Sequence, residues 1–261
     1  MLKRNLKIFY LFSRNSLKTV LQTRQGILFF TLGKILRFLF LFGLIFLIFS
    51  KTKIIKGWSL NQVIICYLTF NFLDSLSQTL YREVYRFRPL VISGNLDLIL
   101  TKPYHPFLRI LLGGVDFLDL FLLFPYIFLL IFFIIQEPNI SFTSIAIYLF
   151  LLFNSFLIIT SFHIFVLSLA VLTTEIDNAI MIYRDFLNIG RFPVDLYKTP
   201  FNFIFTFVLP IGVMITFPVK ALFRMLFWPF ILFSFITSLL LLFLSFYFWQ
   251  KALKYYQSAS S

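Results

Sequence analysis

Long apolar runs separated by short polar segments are the main pattern of the sequence. A helix needs roughly 20 apolar residues to cross the hydrocarbon core of a bilayer. Six runs have about this length: Ile27–Phe49, Leu60–Leu80, Leu111–Ile135, Ile145–Val171, Phe201–Phe217 and Met225–Trp249. The pattern predicts an all-α, polytopic membrane protein with six transmembrane helices, in which residues 1–261 form a single transmembrane domain.

Two of these runs carry features that a simple span does not need. Lys34 and Arg37 fall inside the first run, and we expect them to lie near one end of the helix and to reach outward to the interface. The fifth run is interrupted by Asn202, Pro210, Gly212 and Thr216, and Pro218 follows it directly. Two alternatives therefore stay open for the fifth run: a complete span, or a short one followed by a re-entrant segment.

Residues 1–25 have the pattern of an amphipathic helix. Four basic residues fall within about 60° of one another on a helical wheel, and five apolar residues gather on another side. They are Lys3, Lys7, Arg14 and Lys18, and Leu2, Leu6, Phe9, Leu17 and Val20. We expect an interfacial helix on an anionic lipid leaflet; the alternative is a frayed basic tail.

Composition supports a membrane protein and gives its expected orientation. Hydrophobic residues make up 60% of the chain and the mean hydropathy is +0.94, outside the range of soluble globular proteins. With the N-terminus in the cytoplasm, eighteen Lys and Arg residues fall on the cytoplasmic side and five on the other. Because basic residues concentrate in cytoplasmic loops, we expect both termini in the cytoplasm and the protein in the cell (plasma) membrane. The net charge of +13 then needs no nucleic-acid partner.

The segment from Arg88 to Phe107 is a polar interruption between the second and third runs. Pro89 should stop or bend a helix arriving from the second run, and Gly94 offers a position for a positive φ. Pro103, with Pro106 behind it, should end whatever helix lies between.

The residues between these breaks predict a short amphipathic helix. Leu96, Ile99 and Leu100 have helical spacing and share one side, and Asn95 or Asp97 could cap the helix. Two interpretations stay open: a docking surface for a soluble partner, or a surface loop that binds nothing.

Polar residues within the apolar runs are the remaining candidates for a site. Asn71, Asp74, Ser75 and Gln78 share one face of the second span, and Asn154, Ser161 and His163 lie in the fourth. An aspartate within a span is costly unless it faces the bundle interior, a cavity or a partner charge. The two groups could line a substrate path or a subunit seam, or they could only make hydrogen bonds between helices.

Chemistry of other kinds is not indicated. Asp116 and Asp119 begin the third span, where we expect a structural ion pair with Arg109. The single Cys66 excludes a disulfide framework, and two distant histidines, His105 and His163, predict no metal site. No phosphate-binding loop of the Gly-x-x-x-x-Gly-Lys-Ser/Thr type is present, so we expect no cofactor in this chain.

The run from Ile92 to Leu100, followed by a Lys-Pro, resembles the central loop of ATP-binding-cassette (ABC) transporter permeases of the type-2 exporter class. That loop has a Gly-x-Leu-Asp-x-x-Leu element followed by a basic residue and proline. The matching positions here are Gly94, Leu96, Asp97, Leu100, Lys102 and Pro103. Further similar segments occur in the same order as in the family: Gly57–Ser59, Arg191–Tyr197, Val208–Pro218 and Phe248–Tyr256.

The resemblance implies a permease subunit of an ABC exporter, in which the matched positions face a separate ABC ATP-binding subunit that would bind ATP and Mg. The order of the predicted spans makes residues 81–110 and 173–199 cytoplasmic coupling loops. Pro89 and Ile99 join the matched positions as coupling candidates, because Pro89 precedes the short helix and Ile99 lies on its apolar side. The resemblance also implies a second permease subunit, identical or homologous. The alternative is an ATP-independent channel or ion-coupled carrier, for which Asp74 and His163 are few intramembrane ionisable groups.

Overall fold

A computed structural model describes residues 2–22, 24–173 and 176–256. Within these ranges the helices are α1 Leu2–Gln22, α2 Arg24–Lys51, α3 Leu60–Tyr81, α4 Phe87–Ile92, α5 Asn95–Leu100, α6 Phe117–Ile135, α7 Phe142–Thr173, α8 Ile176–Ile189, α9 Phe201–Phe203, α10 Phe217–Leu222 and α11 Trp228–Tyr255. Short 3-10 turns cover Arg82–Arg86 and Val194–Leu196, and π-helical turns cover Leu108–Leu112, Ile204–Val208 and Gly212–Thr216. Strands β1 Ile54–Ile55 and β2 Trp58–Ser59 form a small antiparallel hairpin.

Five helices in the described part of the chain are long and apolar enough to cross a membrane. They are Gln25–Lys51, Leu60–Ile92, Phe117–Ile135, Phe142–Thr173 and Trp228–Tyr255. A further pair, Phe201–Val208 and Gly212–Leu222, passes the same test together but is bent by 79°. The prediction of an all-α, polytopic membrane fold is confirmed.

The third span begins later than predicted, at Phe117 and not at Leu111. Gly113 and Gly114 have φ values of +52° and +123°, which interrupt the helical path after Leu112. Asp116 then caps α6, accepting a hydrogen bond from the Leu118 N–H at 3.0 Å.

The bundle has two ends, which we name by their loops. The hairpin end holds β1 and β2. There the Asn61 side chain, at the start of α3, donates to the carboxylate of Glu137, in the turn between α6 and α7, at 2.8 Å. The loop end holds α4 and α5, and there the rings of Phe107 and Trp249 lie 5.1 Å apart. Helix α3 runs between the two ends and is the most enclosed span: 72% of the residues in its most apolar stretch are buried.

The chain after α7 returns alongside α3 from the loop end towards the hairpin end. At the start of this path, Tyr183 of α8 packs against His163, with ring centroids 5.1 Å apart. Halfway along, the guanidinium of Arg191 lies 5.6 Å from the ring centre of Phe70, near the middle of α3. At its end, Lys56 beside the hairpin donates to the Tyr197 carbonyl at 3.1 Å.

We call this path the fifth crossing, because its contacts run from one end of α3 to the other; the predicted cytoplasmic loop over residues 173–199 does not fit these contacts. The mixed charges of the segment and Pro193 hid the crossing from the sequence pattern. Helix α8 contributes only 14 residues, and the 3-10 turn Val194–Leu196 completes the path to the hairpin end.

The apolar run predicted as the fifth span, Phe201–Phe217, is instead a bent hairpin entering from the hairpin end. Its returning arm reaches the bundle interior, where the Met214 carbonyl accepts from Ser155 of α7 at 2.7 Å. It then comes back to the level of the hairpin, where Lys220 pairs with Asp195 at 2.7 Å. Pro210 lies at the bend and has no N–H to continue a helix. These contacts favour a re-entrant segment over a complete span, and the bent hairpin takes up the run itself instead of following a short span.

Helix α1 docks on the loop end of the bundle. The Ser13 hydroxyl accepts from the Val115 N–H at 3.2 Å, and the Phe12 ring lies 6.4 Å from that of Tyr104. The four basic residues predicted to share a face are exposed, and so is Leu6. The segment is therefore a helix and not a frayed tail, and it touches the segment that follows α5.

Candidate functional site

The segment between α3 and α6 folds as two short helices joined at a glycine. Pro89 does not stop the helix but lies within α4, and the irregular 3-10 turn Arg82–Arg86 precedes it. This follows because a proline ring clashes with the carbonyl four residues earlier, here that of Tyr85. Gly94 has the expected positive φ, +71°, and occupies the N-cap position of α5. The expected side-chain cap is not formed, since Asn95 donates to the Ser93 hydroxyl at 2.7 Å.

The apolar side predicted to meet a partner is largely used within the chain. Leu96 is 0% exposed and Ile99 is 8% exposed, while Leu100 is half-buried. The side that faces outward instead carries Ile92 and Leu98, which are 56% and 62% exposed. Leu96 and Ile99 therefore anchor α5 to the bundle, and any coupling role of theirs stays a prediction.

Beside these leucines, the end of the segment is polar and open. Asp97 is half-buried, whereas Lys102 and Pro103 are exposed just after α5. Ile92 of α4, Leu98 of α5 and Lys102 are thus among the exposed side chains of the segment. We call this set the coupling face.

Ion pairs fix the segment to its flanks. Glu83 accepts from Arg86 at 3.1 Å and also pairs with Arg109. The expected partner of Arg109 was an aspartate of the third span, and that prediction is wrong: Asp116 instead lies 3.6 Å from Arg82. The Glu83–Arg109 pair thus links the turn after α3 to the turn before α6, on the two sides of the segment.

The C-terminal end of α11 also reaches the segment. Partial burial raises the pKa of the Tyr256 hydroxyl, and the nearby Asp97 carboxylate raises it further. Phe107 packs on Trp249 of the same helix. The end of α11 therefore lies against α5 at Asp97 and against the residues that follow α5 at Phe107.

A second candidate site is a small charged cavity of about 40 Å³ between α2, α3, α6 and the fifth crossing. Its lining residues are Lys34, Arg37, Phe38, Leu41, Tyr67, Phe70, Asn71, Asp74, Ser75, Tyr126 and Arg191. Asp74 is half-buried here, and Asn71 uses its amide to donate to the Tyr67 carbonyl at 2.7 Å. Three residues of the polar strip predicted on the second span, Asn71, Asp74 and Ser75, thus line one cavity with three cations.

Lys34 turns into the bundle and forms an ion pair with Asp119 of α6. Asp119 is fully buried, so the expectation that Lys34 reaches outward to the interface is wrong. A buried carboxylate without a partner is strongly unfavourable, which holds the lysine inside. The sequence signal for this pair was the lysine inside one apolar run and the aspartate inside another.

Arg37 and Arg191 meet at Asn188, a contact that the sequence pattern did not suggest. The Asn188 Oδ1 accepts from Arg191 at 2.6 Å and from Arg37 at 3.4 Å. An arginine at the centre of a membrane helix costs about 2.5–3.5 kcal/mol on insertion scales. Arg37 lies in the middle of α2 and Arg191 in the turn after α8, so two cations share one neutral oxygen within the bundle.

The other predicted polar residues lie elsewhere. Gln78 donates to the Tyr85 hydroxyl at 2.8 Å, near the loop end. Ser161 donates to the Leu157 carbonyl at 2.8 Å. His163 bonds the Ile159 carbonyl through Nδ1 at 2.9 Å.

Asn154 is fully buried, and its amide has no hydrogen-bond partner in the described part of the chain. Asn154, Ser161 and His163 do not line the charged cavity. The polar groups of the second and fourth spans are therefore not brought together in it.

The fold is an all-α bundle with several membrane-crossing helices. It has charged residues at membrane depth and a short anchored loop at one end. This architecture is that of a membrane transport component. The sequence model described as "ABC-2 family transporter protein" matches residues 35–260, and the chain belongs to that family. It is the membrane permease component of an ABC transporter, a multi-pass protein that is not itself catalytic. No curated protein and no solved structure matches the chain.

Proposed function

We propose that this chain is the transmembrane subunit of an ABC exporter and that it couples to a separate ATP-binding subunit through the coupling face. The observation that carries the proposal is the exposure of Ile92 and Leu98 on a segment that ion pairs and buried leucines anchor to the bundle. Two exposed apolar side chains on a rigid support suit a pocket on a soluble partner. ATP and Mg would be bound by that partner.

Charge supports an orientation with the loop end in the cytoplasm. The coupling face includes Lys102, and Arg86 and Arg88 lie close to it in sequence. The basic residues of α1 lie at the same end of the bundle. Lys198 was counted on the cytoplasmic side, but its neighbour Tyr197 lies at the hairpin end. With Lys198 counted at the hairpin end instead, most basic residues still belong to the loop end. The cell membrane with both termini inside is the placement that this asymmetry favours.

A second permease subunit, identical or homologous, is the other part of the proposal. Helix α2 is peripheral, since only 11% of the residues in its most apolar stretch are buried. The charged cavity lies beside this helix and is lined by the exposed Arg37. A charged opening at membrane depth is unfavourable against lipid tails. A second six-crossing bundle would cover it and close a pathway between the two subunits.

The test is purification from the native host in a gentle detergent, with identification of the co-purifying proteins and measurement of ATP hydrolysis. An ATP-binding subunit should co-purify with the wild-type chain. Leu98→Asp should reduce its retention about tenfold or more, since burying a leucine contributes about 1.5–3 kcal/mol.

Ile54→Asp is the matched control, because Ile54 is 66% exposed but lies at the hairpin end. Equal retention or equal loss in the two variants would place the docking surface elsewhere. Transport that continues with no ATP-binding subunit present would favour the channel or ion-coupled carrier.

A further inference from the structure

Two arginines converge on one uncharged oxygen beside the charged cavity. Arg191 donates to the Asn188 Oδ1 at 2.6 Å, and Arg37, from a different helix, donates to the same atom at 3.4 Å. Both arginines also line the cavity that contains Asp74. Guanidinium groups this close repel each other, and an amide oxygen offers them no opposite charge.

The carboxylates nearby do not balance these cations. Asp119 already pairs with Lys34. Among the described residues, no carboxylate lies within ion-pair distance of Arg37 or Arg191, and Asp74 is the carboxylate that shares their cavity. Counting these five ionised groups, the site carries one positive charge more than it has negative charges.

We propose that the site formed by Arg37, Asn188 and Arg191 binds the anionic headgroup, a carboxylate or a phosphate, of a membrane amphiphile. A guanidinium presents parallel N–H donors that match the oxygens of either group, and the Asn188 amide adds further donors. One negative charge on the headgroup neutralises the excess. Because the cavity holds only about 40 Å³, it accepts the headgroup oxygens and not a whole molecule.

The tail of the amphiphile has an apolar surface next to the site. Arg37 is exposed on α2, and Phe40, one helical turn further along, is 73% exposed. Phe186 is exposed on α8, two residues before Asn188. Since this site lies at the level of Phe70, near the middle of α3, a tail placed along α2 stays within the hydrocarbon layer.

The shared chemistry has two sources: a resident anionic lipid, or an anionic amphiphile that is transported. The second source rests on the proposed function, because it places the site on the export pathway. The first does not need transport, so the binding measurement and the ATPase measurement are made separately.

The probe is phosphatidylglycerol, with phosphatidylcholine of the same acyl chains as the uncharged-headgroup comparison, added to the purified protein and whatever co-purifies with it. Binding is measured by native mass spectrometry. Wild-type protein should prefer phosphatidylglycerol. Arg37→Gln and Arg191→Gln should each weaken that binding about tenfold or more, the loss expected for a hydrogen bond to a charged group.

Two further variants separate a lost site from a damaged protein. Asp74→Asn removes the carboxylate that competes with the ligand, so phosphatidylglycerol should bind more tightly, an effect that misfolding would not produce. Lys251→Gln removes an exposed cation near the end of α11 and should change nothing.

Wild-type protein without a preference for phosphatidylglycerol, arginine variants that bind it like wild type, or an equal loss in Lys251→Gln would each overturn the proposal. Stimulation of ATP hydrolysis by phosphatidylglycerol in wild type but not in Arg37→Gln identifies a transported amphiphile. Binding without stimulation identifies a resident lipid. Failure of the proposed function would be visible separately, as absence of an ATP-binding subunit from the purified material.

Discussion

Lys34 of α2 and Asp119 of α6 form an ion pair inside the bundle, although 85 residues separate them in the sequence. The pair joins a peripheral helix to a span that packs on α3. Asp119 is completely buried and the side chain of Lys34 is 27% exposed, so water stabilises the carboxylate very little. Each residue of the pair therefore neutralises a charge that the bundle interior would otherwise hold uncompensated.

Removing one partner should therefore be much worse than removing both. Asp119→Leu or Lys34→Met alone leaves an uncompensated charge and should destabilise the bundle by about 3 kcal/mol, at the low end for buried pairs because Lys34 is partly exposed. The double variant replaces the pair with apolar side chains and should lie within about 1 kcal/mol of wild type. Denaturant unfolding of the detergent-solubilised protein measures both. Equal destabilisation by the single and double variants would contradict a coupled pair.

Most of the bundle followed from hydrophobic periodicity, and the fifth crossing did not. The first, second, fourth and sixth spans were predicted within a few residues, because long apolar runs have few alternatives in a membrane. The fifth crossing instead uses α8, whose 14 residues include Arg184, Asp185 and Asn188. Because this helix is short and carries charged residues, its apolar pattern is too weak to stand out as a span in the sequence.

The candidate sites show the same limit. The wheel placed Asn71 and Asp74 on one face, and the structure has both in one cavity. It could not show that Arg191 reaches the same cavity, because that contact depends on where the fifth crossing runs. Likewise, spacing put Leu96, Ile99 and Leu100 on one side of α5, but which side faces the bundle is decided by packing.

Gly114 should be essential for the docking of α1. Its φ of +123° is rarely adopted by residues with a side chain, and an added Cβ would lie 2.8 Å from the backbone carbonyl of Phe12. Gly114→Ala should detach α1 and raise amide hydrogen exchange in residues 8–16 about tenfold or more, given strain of about 1–3 kcal/mol. Gly33→Ala is the control, because a Cβ at Gly33 meets nothing within 4 Å. Unchanged exchange in both variants would show that α1 is not held there.

Asp74 should be needed for function and not for insertion. It lines the charged cavity with Lys34, Arg37 and Arg191, so Asp74→Leu leaves these cations with one carboxylate fewer. The variant should reach the membrane normally, since leucine favours insertion, but lower ATP hydrolysis by the purified assembly or the yield of that assembly. Asp185→Leu is a matched control, because Asp185 is exposed on α8. Normal assembly and activity in Asp74→Leu would remove support for a functional cavity.

The path of the fifth crossing places Lys198 and Lys102 on opposite sides of the membrane. Lys198 follows Tyr197, whose carbonyl accepts from Lys56 at the hairpin end, whereas Lys102 is exposed after α5 at the loop end. In a background where the buried Cys66 is replaced by serine, an impermeant thiol reagent added to intact cells should label Lys198→Cys.

Pro138→Cys, in the turn between α6 and α7, should be labelled with it, and Lys102→Cys should react only after the cells are opened. Labelling of Lys102→Cys and Lys198→Cys from the same side would restore a cytoplasmic loop at residues 173–199. Labelling of Lys102→Cys alone from outside would reverse the proposed orientation. Because Lys198 and Pro138 must agree if the fifth crossing exists, the comparison tests the crossing itself, whichever side the termini occupy.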